Sequence, residues 1–471
     1  MATKYVRADG SATWANANGP ETNASNCCNL ATAETSPSPG DTVWISGLGG
    51  EFREMFQTKV DGASGNYITY RGTANTPIIS GADVASGFSD QTGNVWEATV
   101  TASDVRQVFF DGEKGVDVGS VGALSQEFDW TWSSNTLSVY SPSDPDSRYG
   151  TVEASVRLYA MAHNVGDHYV TIQDLHLRYA NDAGVQAYLA PYCKVIGCEI
   201  DYNYYLGIFA EGADDFLTQG CHIHHSGESH GIYYSNGCDG AIIEHCHIHN
   251  TDLKGIQVNA NPRNTGMIFR HNKIHDIGQD GIGDLAGNGT LIQNNVIYGC
   301  GDYGVDLVYD FDDDPSHTRV AINSLVYGNT IYDCDIGIVI GAYATGHTIK
   351  NNAISTCTTK LISKNTNGSA TIDYNLYYDT SYTGKWSWNG SNYSTFAAWK
   401  SASSQDGNSP DPADPKFTNP GGGDFTLQSD SPCIGAAENL GASYDDGLLP
   451  TTVFPTDAND DGVVTGDQDD Y

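Results

Sequence analysis

His230, Lys254, Asp280 and Tyr303 each stand immediately before a Gly-Ile or Gly-Val pair, at intervals of 24, 26 and 23 residues. An imidazole, an amine, a carboxyl and a phenol are groups that hold and move protons at a reacting centre. A spacing that brought them together would therefore assemble an acid–base site, and Asp306, three residues past Tyr303, would add a second carboxyl. Around Lys254 the window Asn250 to His275 holds Lys254, Arg263, Arg270 and Lys273 against one acid, Asp252. In a chain of formal charge −36, such a basic island would attract a carboxylate or a sulfate.

The elements that must position these residues are written in a repeat. One half of it is Cys or Asn, any residue, then Ile: Cys198-Glu199-Ile200, Cys221-His222-Ile223, Cys246-His247-Ile248, Asn272-Lys273-Ile274, Asn295-Val296-Ile297, Asn329-Thr330-Ile331 and Asn352-Ala353-Ile354. The other half is Gly with Ile or Val, from Gly184-Val185 through Gly207, Gly231, Gly255, Gly281 and Gly304 to Gly337-Ile338. Short β-branched runs between Gly, Asn and Asp turns, without helical periodicity, make each unit a coil of short strands. Self-similarity at this period means stacked units that bury a common core, here a parallel β-helix.

Side chains alternate along a strand, so with each Ile inside, the residue after it points out. That rule predicts an outward row of Phe209, Tyr233, Gln257, Gly283 and Asp306, and two residues further on Glu211, Ser235 and Asn259. Aromatic rings that stack on sugars, with amides and carboxylates that take hydroxyls, suit a groove for an extended polymer. Cys198, Cys221 and Cys246 share one position in successive coils, and Cys300, Cys334 and Cys357 share another. Equivalent positions stack about 4.8 Å apart, so these six read as interior ladders of small apolar side chains.

Composition narrows the partners. With 22 Lys and Arg against 58 Asp and Glu, the chain lacks the basic character that phosphate neutralisation requires, which excludes nucleic acid. No apolar run reaches membrane-spanning length. The start, Met1-Ala2-Thr3-Lys4, has no apolar leader core, so the expectation is a secreted protein whose leader is absent from this chain, or a virion-associated one.

Three regions are expected. Residues 1–150 hold an N-terminal cap, the first coils and an inserted antiparallel β element around Trp96, Phe109 and Leu137. Residues 151–375 hold the regular coils. Residues 376–471 hold a wrapping segment that caps the last coils, then an acidic tail. Gly304 and Gly337 lie 33 residues apart, and the extra residues carry Asp310, Asp312, Asp313 and Asp314, oxygen ligands of the kind Ca²⁺ takes. Asp457, Asn459 and Asp461 with Gly462 begin like a calcium loop. Ca²⁺ is the one cofactor expected, held at these Asp sets and by Asp280 and Asp306.

The coils, the opening Tyr5-Val6-Arg7-Ala8-Asp9-Gly10, and the ending Asp414-Pro415-Lys416-Phe417 with Ser431-Pro432-Cys433 resemble the pectate-lyase-like right-handed β-helix superfamily. The resemblance implies an all-β solenoid and a polysaccharide substrate, and that superfamily spans lyases, hydrolases, uronan epimerases and phage tailspikes. The Gly-His-Gly and Arg-Ile-Lys signatures of polygalacturonases are absent. Tyr303-Gly304-Val305-Asp306 is similar to the Tyr-Gly-x-Asp core of mannuronan epimerases, with Val308 where a His belongs. For a polyuronate, β-elimination is the economical mechanism: a cation neutralises the carboxylate, a base takes the C5 proton and an acid protonates the departing oxygen. Lys254 is the expected base, its pKa depressed by flanking Arg263 and Arg270; His230 and Tyr303 are the reserve base and acid. The alternatives are a glycoside hydrolase on a neutral glycan such as xylan, with Asp280 and Asp306 as paired carboxyls, an epimerase, or a non-catalytic tailspike. A monomer is expected for an enzyme, a trimer for a spike.

Overall fold

The computed structural model describes residues 1–260, 263–308 and 319–437. It divides into two compact units, residues 1–187, 198–209 and 226–228 in the first and residues 188–197, 210–225 and 229–471 in the second. Each winds as a parallel β-helix whose coils contribute one strand to each of three parallel sheets. One coil of the second unit shows the order: Ile242–Glu244 in a first sheet, His247–Thr251 in a second, Ile256–Val258 in a third. The chain then returns to the first sheet at Ile268–Arg270, in register with Ile242–Glu244.

The two halves of the repeat turn out to be one contact. A β-carbon built on Gly231, Gly255, Gly281, Gly304 or Gly337 would lie 2.3–2.6 Å from the Cγ2 of Ile248, Ile274, Ile297, Ile331 or Ile354 respectively. It would also lie within 2.5–2.8 Å of a backbone carbonyl of the next coil. Only glycine lets the third sheet approach the inward Ile of the second this closely. The corner before each Cys or Asn is left-handed, with φ of +55° at His245, +56° at His271 and +54° at Asn294. That conformation favours Gly and Asn, which is why those residues punctuate the coils.

The Cys/Asn column is fully interior. Asn272, Asn295, Asn329, Asn352 and Asn375 form a ladder in which each side-chain amide donates to the next Asn Oδ1 at 2.9–3.0 Å. Each also donates to a backbone carbonyl, as Asn329 Nδ2 does to Ile292 at 2.9 Å. All eleven cysteines are buried free thiols.

In the first unit, Thr3–Arg7 pairs with Thr42–Ser46. Its other edge is covered by the segment carrying Ala17 and Cys28, through Tyr5 N–H to Ala17 O and Arg7 N–H to Cys28 O. The antiparallel strands Val95–Thr99, Asp129–Ser133 and Thr136–Tyr140 share a core of Phe110, Trp130, Leu137 and Val139. Phe109 joins them to the flank of a coil by stacking on Tyr179 at 3.7 Å. In the second unit the last coil strand is Trp386–Trp388, backed by the helix Phe396–Ser403 with Trp399 buried. The hairpin Phe417–Asn419 and Asp424–Leu427 lays Phe417 and Phe425 against Tyr298 and Tyr332 of the second sheet. Among the described residues no helix is long and apolar enough to cross a membrane.

Candidate active site

The column His230, Lys254, Asp280 and Tyr303 is real, and its cause is backbone pairing. Gly231, Gly255 and Gly281 donate their N–H groups to the carbonyls of Lys254, Asp280 and Tyr303 at 3.0, 2.9 and 2.8 Å. Side chains add to it: Lys254 N–H donates to His230 Nδ1 and Tyr303 N–H to Asp280 Oδ1, both at 3.2 Å. The register also places Tyr233, Gln257, Gly283 and Asp306 in one outward ladder on the third sheet.

Lys254 joins the two rows. Its Nζ lies 2.6 Å from Asp280 Oδ2 and 3.3 Å from Asp306 Oδ2. Asp306 is two coils away, and Lys254 reaches it because Gly283 has no side chain: a β-carbon there would sit 2.9 Å from Lys254 Cδ and 3.1 Å from its Nζ. Burial pulls the Lys254 pKa down, but Asp306 and Asp280 outweigh it, and the ammonium is held above its ordinary value. Burial first, and then the neighbouring Asp280 carboxylate, push Asp306 well above the carboxylate range. The trio thus sets a cation between two carboxyl groups, one of which, Asp306, is pushed towards its protonated form.

Several expectations change. Lys254 is not a free amine with a depressed pKa; it is an ion-paired cation. Arg263 and Arg270 do not act on it: Arg270 pairs with Glu244 at 2.6 Å on the first sheet, and Arg263 Nε donates to the Val320 carbonyl at 2.7 Å. The basic island dissolves because one coil has three walls, and Lys254, Arg270 and Lys273 stand on different ones. The Lys254 ammonium lies between Asp280 and Asp306, where the expected Ca²⁺ would sit. The outward row is not an open groove floor either: Gln257 and Asp306 are each only 4 % exposed. His230, accepting at Nδ1, carries its proton on Nε2; burial and then Lys254 lower its pKa to about 4. It therefore presents a neutral N–H donor. Burial, Asp306 and Asp280 raise the Tyr303 phenol.

The remaining residues scatter. Tyr233 meets the His230 ring edge-on at 5.6 Å. Glu211 Oε1 accepts from Asn236 at 3.2 Å, while Phe209 and Asn259 are half-buried. Asp310, Asp312, Asp313, Asp314, Asp457, Asn459 and Asp461 lie outside the described residues. In the first unit Glu54, Gln57, Arg157, Tyr159 and Gln186 line a concavity that the sequence reading passed over.

The model of the right-handed β-helix region matches residues 161–313 and 229–342. The chain folds as a right-handed parallel β-helix. Pectate lyase Pel9A resembles this β-helix at 12% identity and TM-score 0.57, over 96% of this chain and 95% of the other. A structure titled glycoside hydrolase aligns at 11% identity and TM-score 0.54, over 84% and 98%. XylC in complex with xylose aligns at 13% and 0.52, over 81% and 70%. At such identities the likeness concerns the fold. The search of curated proteins found no match.

Proposed function

We propose that this β-helix cleaves a polysaccharide by hydrolysis at Asp280 and Asp306. The observation that carries the reading is the bridged pair: burial and Asp280 push Asp306 towards its protonated form, and one lysine contacts both carboxyls. Asp306 protonates the glycosidic oxygen, and Asp280 meets the sugar carbon that becomes electron-poor. Oxygens 2.6 and 3.3 Å from a single nitrogen are less than about 6 Å apart. That is short of the roughly 6.5–9.5 Å an inverting pair needs to admit a water, so the pair favours the retaining route. His230 Nε2–H and Tyr303 O–H are donors for sugar hydroxyls, with Tyr233 beside them as a stacking ring. Neighbours of this fold whose titles name a pectate lyase, a glycoside hydrolase and a xylose complex support carbohydrate as the substrate class. A polymer substrate fits action outside the cell or on a virion.

The test is a panel of neutral glycans and polyuronates assayed for new reducing ends and for the ultraviolet absorbance of unsaturated products. Reducing ends without that absorbance, lost in both Asp280→Asn and Asp306→Asn, support hydrolysis by this pair. Unsaturated products would replace it with β-elimination, and binding without turnover would replace it with an adhesin.

A further inference from the structure

The second sheet of the second unit carries a histidine cluster that the proposed reaction does not use. His222, His247 and Lys273 stack in register, as do His224, His249 and His275. These positions flank the inward Ile223, Ile248 and Ile274, so both columns lie on the outer side of that wall. The rings are nearly parallel: His222 on His247 at 4.9 Å, His224 on His249 at 5.1 Å and His249 on His275 at 5.0 Å. Across the columns, His222 Nε2 faces His249 Nε2 at 2.8 Å, and His247 Nε2 faces His275 Nε2 at 2.7 Å. Two facing ring nitrogens can share only one proton, so each contact leaves a lone pair aimed at a neighbour.

Partners on the far side decide which one. His249 Nδ1 contacts Asn250 Oδ1 at 3.1 Å, and His275 Nδ1 contacts Asp276 Oδ2 at 2.8 Å. An oxygen accepting at Nδ1 keeps the proton there and leaves Nε2 as the lone pair, the arrangement that orients a metal-ligating imidazole. Ligand atoms of His222, His247 and His249 all lie within 4.8 Å of one another. A tetrahedral ion about 2.0–2.1 Å from each nitrogen needs them about 3.3 Å apart, so the 2.8 Å pair has to open by about half an ångström.

We propose that His222, His247 and His249 bind a divalent transition-metal ion through imidazole nitrogens, Zn²⁺ first among them. Three imidazoles select a borderline metal over Ca²⁺, which takes oxygen. The site stands on a different wall from Lys254, so it does not depend on the proposed hydrolysis.

The experiment titrates the untagged full chain, stripped with chelator, with Zn²⁺ alone by calorimetry, and with Co²⁺ followed by visible absorption. The expected result is one ion per chain, a tetrahedral Co²⁺ spectrum, and no displacement by excess Ca²⁺. His249→Gln is expected to weaken Zn²⁺ at least about tenfold, and Asn250→Gly, which suits the left-handed φ of +51° there, by about 10- to 100-fold through loss of the orienting oxygen. Asp280→Asn is expected to leave binding unchanged. Less than one ion at saturation, equal competition by Ca²⁺, or full affinity in both the His249 and Asn250 variants would overturn the assignment and leave a stacked, metal-free ladder. Asn250→Gly lies on an exposed corner, so it keeps the test decisive if His249→Gln misfolds.

Discussion

Replacing Lys254 with Met tests the bridged carboxyl pair most directly. The Lys254, Asp280 and Asp306 side chains are only 13%, 4% and 6% exposed, and Met fills most of the lysine stem without its charge. Removing one partner of a buried ionic group typically costs about 3–5 kcal/mol, because the charge left behind has no counterion. Unfolding entropy of about 2.1 cal/mol/K per residue over 471 residues makes each kcal/mol worth about 1 °C. The expected fall in Tm is thus about 3–5 °C if the chain unfolds at once, and nearly twice that if the second unit unfolds alone. Its pH dependence follows from Asp306. With a folded pKa above the unfolded one, the folded state keeps a proton that the unfolded state releases above about 3.8. Stability from this proton is complete below that value and is lost as pH rises through the folded pKa. Lys254 pulls the Asp306 pKa down, so its removal raises that pKa and extends the loss to higher pH. Calorimetry should therefore show a gap between wild type and Lys254→Met that is widest near pH 8 and shrinks near pH 4. An equal gap at both pH values, or none at pH 8, would refute the protonated pair.

Four further perturbations reach other parts of the same logic. Gly304→Ala puts a carbon 2.5 Å from Ile331 Cγ2 and 2.7 Å from the Gly337 carbonyl, a clash with immobile atoms expected to cost at least about 2 kcal/mol in urea unfolding. Gly283→Ala meets only the flexible end of Lys254 and the Gln257 amide, so it should keep its Tm within about 1–2 °C while losing turnover as the bridge is displaced. Asn329→Ala removes an acceptor for Asn295 N–H and Nδ2 and a donor to Ile292 O and Asn352 Oδ1, and should cost about 3 kcal/mol or more in the same assay. Burial holds buried His347 at about 4, below its ordinary 6.5, so the unfolded state binds its proton first and stability is lost as pH falls below about 6.5. By pH 4 this amounts to about 3 kcal/mol, and the Tm advantage of wild type over His347→Gln should narrow across that interval.

How far the residues spoke for themselves depended on which periodicity they used. Gly255-Ile256 and Cys246-His247-Ile248 state the coil length, and backbone pairing then forces His230, Lys254, Asp280 and Tyr303 into one column. What spacing does not carry is the reach of a long side chain. Nothing in the order of residues says that Lys254 spans the gap left by Gly283 to meet Asp306. The sense of the Lys254 pKa was misread for that reason. Arg263 and Arg270 are close in sequence, but a coil spends about eight residues per wall, so sequence neighbours diverge while residues one or two coils apart converge. The histidine cluster was legible by the alternation rule applied to the other phrase: His222-Ile223-His224 and His247-Ile248-His249 flank inward isoleucines. What spacing alone does not carry is that rings from adjacent coils bring their Nε2 atoms to 2.7–2.8 Å.

A solenoid wall also settles how such different chemistries can share a few coils. Within one coil, Glu244 stands on the first sheet and pairs with Arg270 of the next coil, His247 and His249 stand on the second, and Lys254 serves the third. The interior between them is filled by Ile243, Ile248 and Ile256, all at 0% exposure. Charges on separate walls are thus held apart by close-packed hydrocarbon, while charges on one wall sit a single coil spacing of about 4.8 Å apart. Coupling should therefore run along a wall rather than around a coil. Lys254→Met should shift the titration of Tyr303, which shares its column, and leave that of His245, at the corner between the first and second sheets of the same coil, unmoved. NMR titration of the two side chains distinguishes this from a field spread evenly over the coil, which would move both.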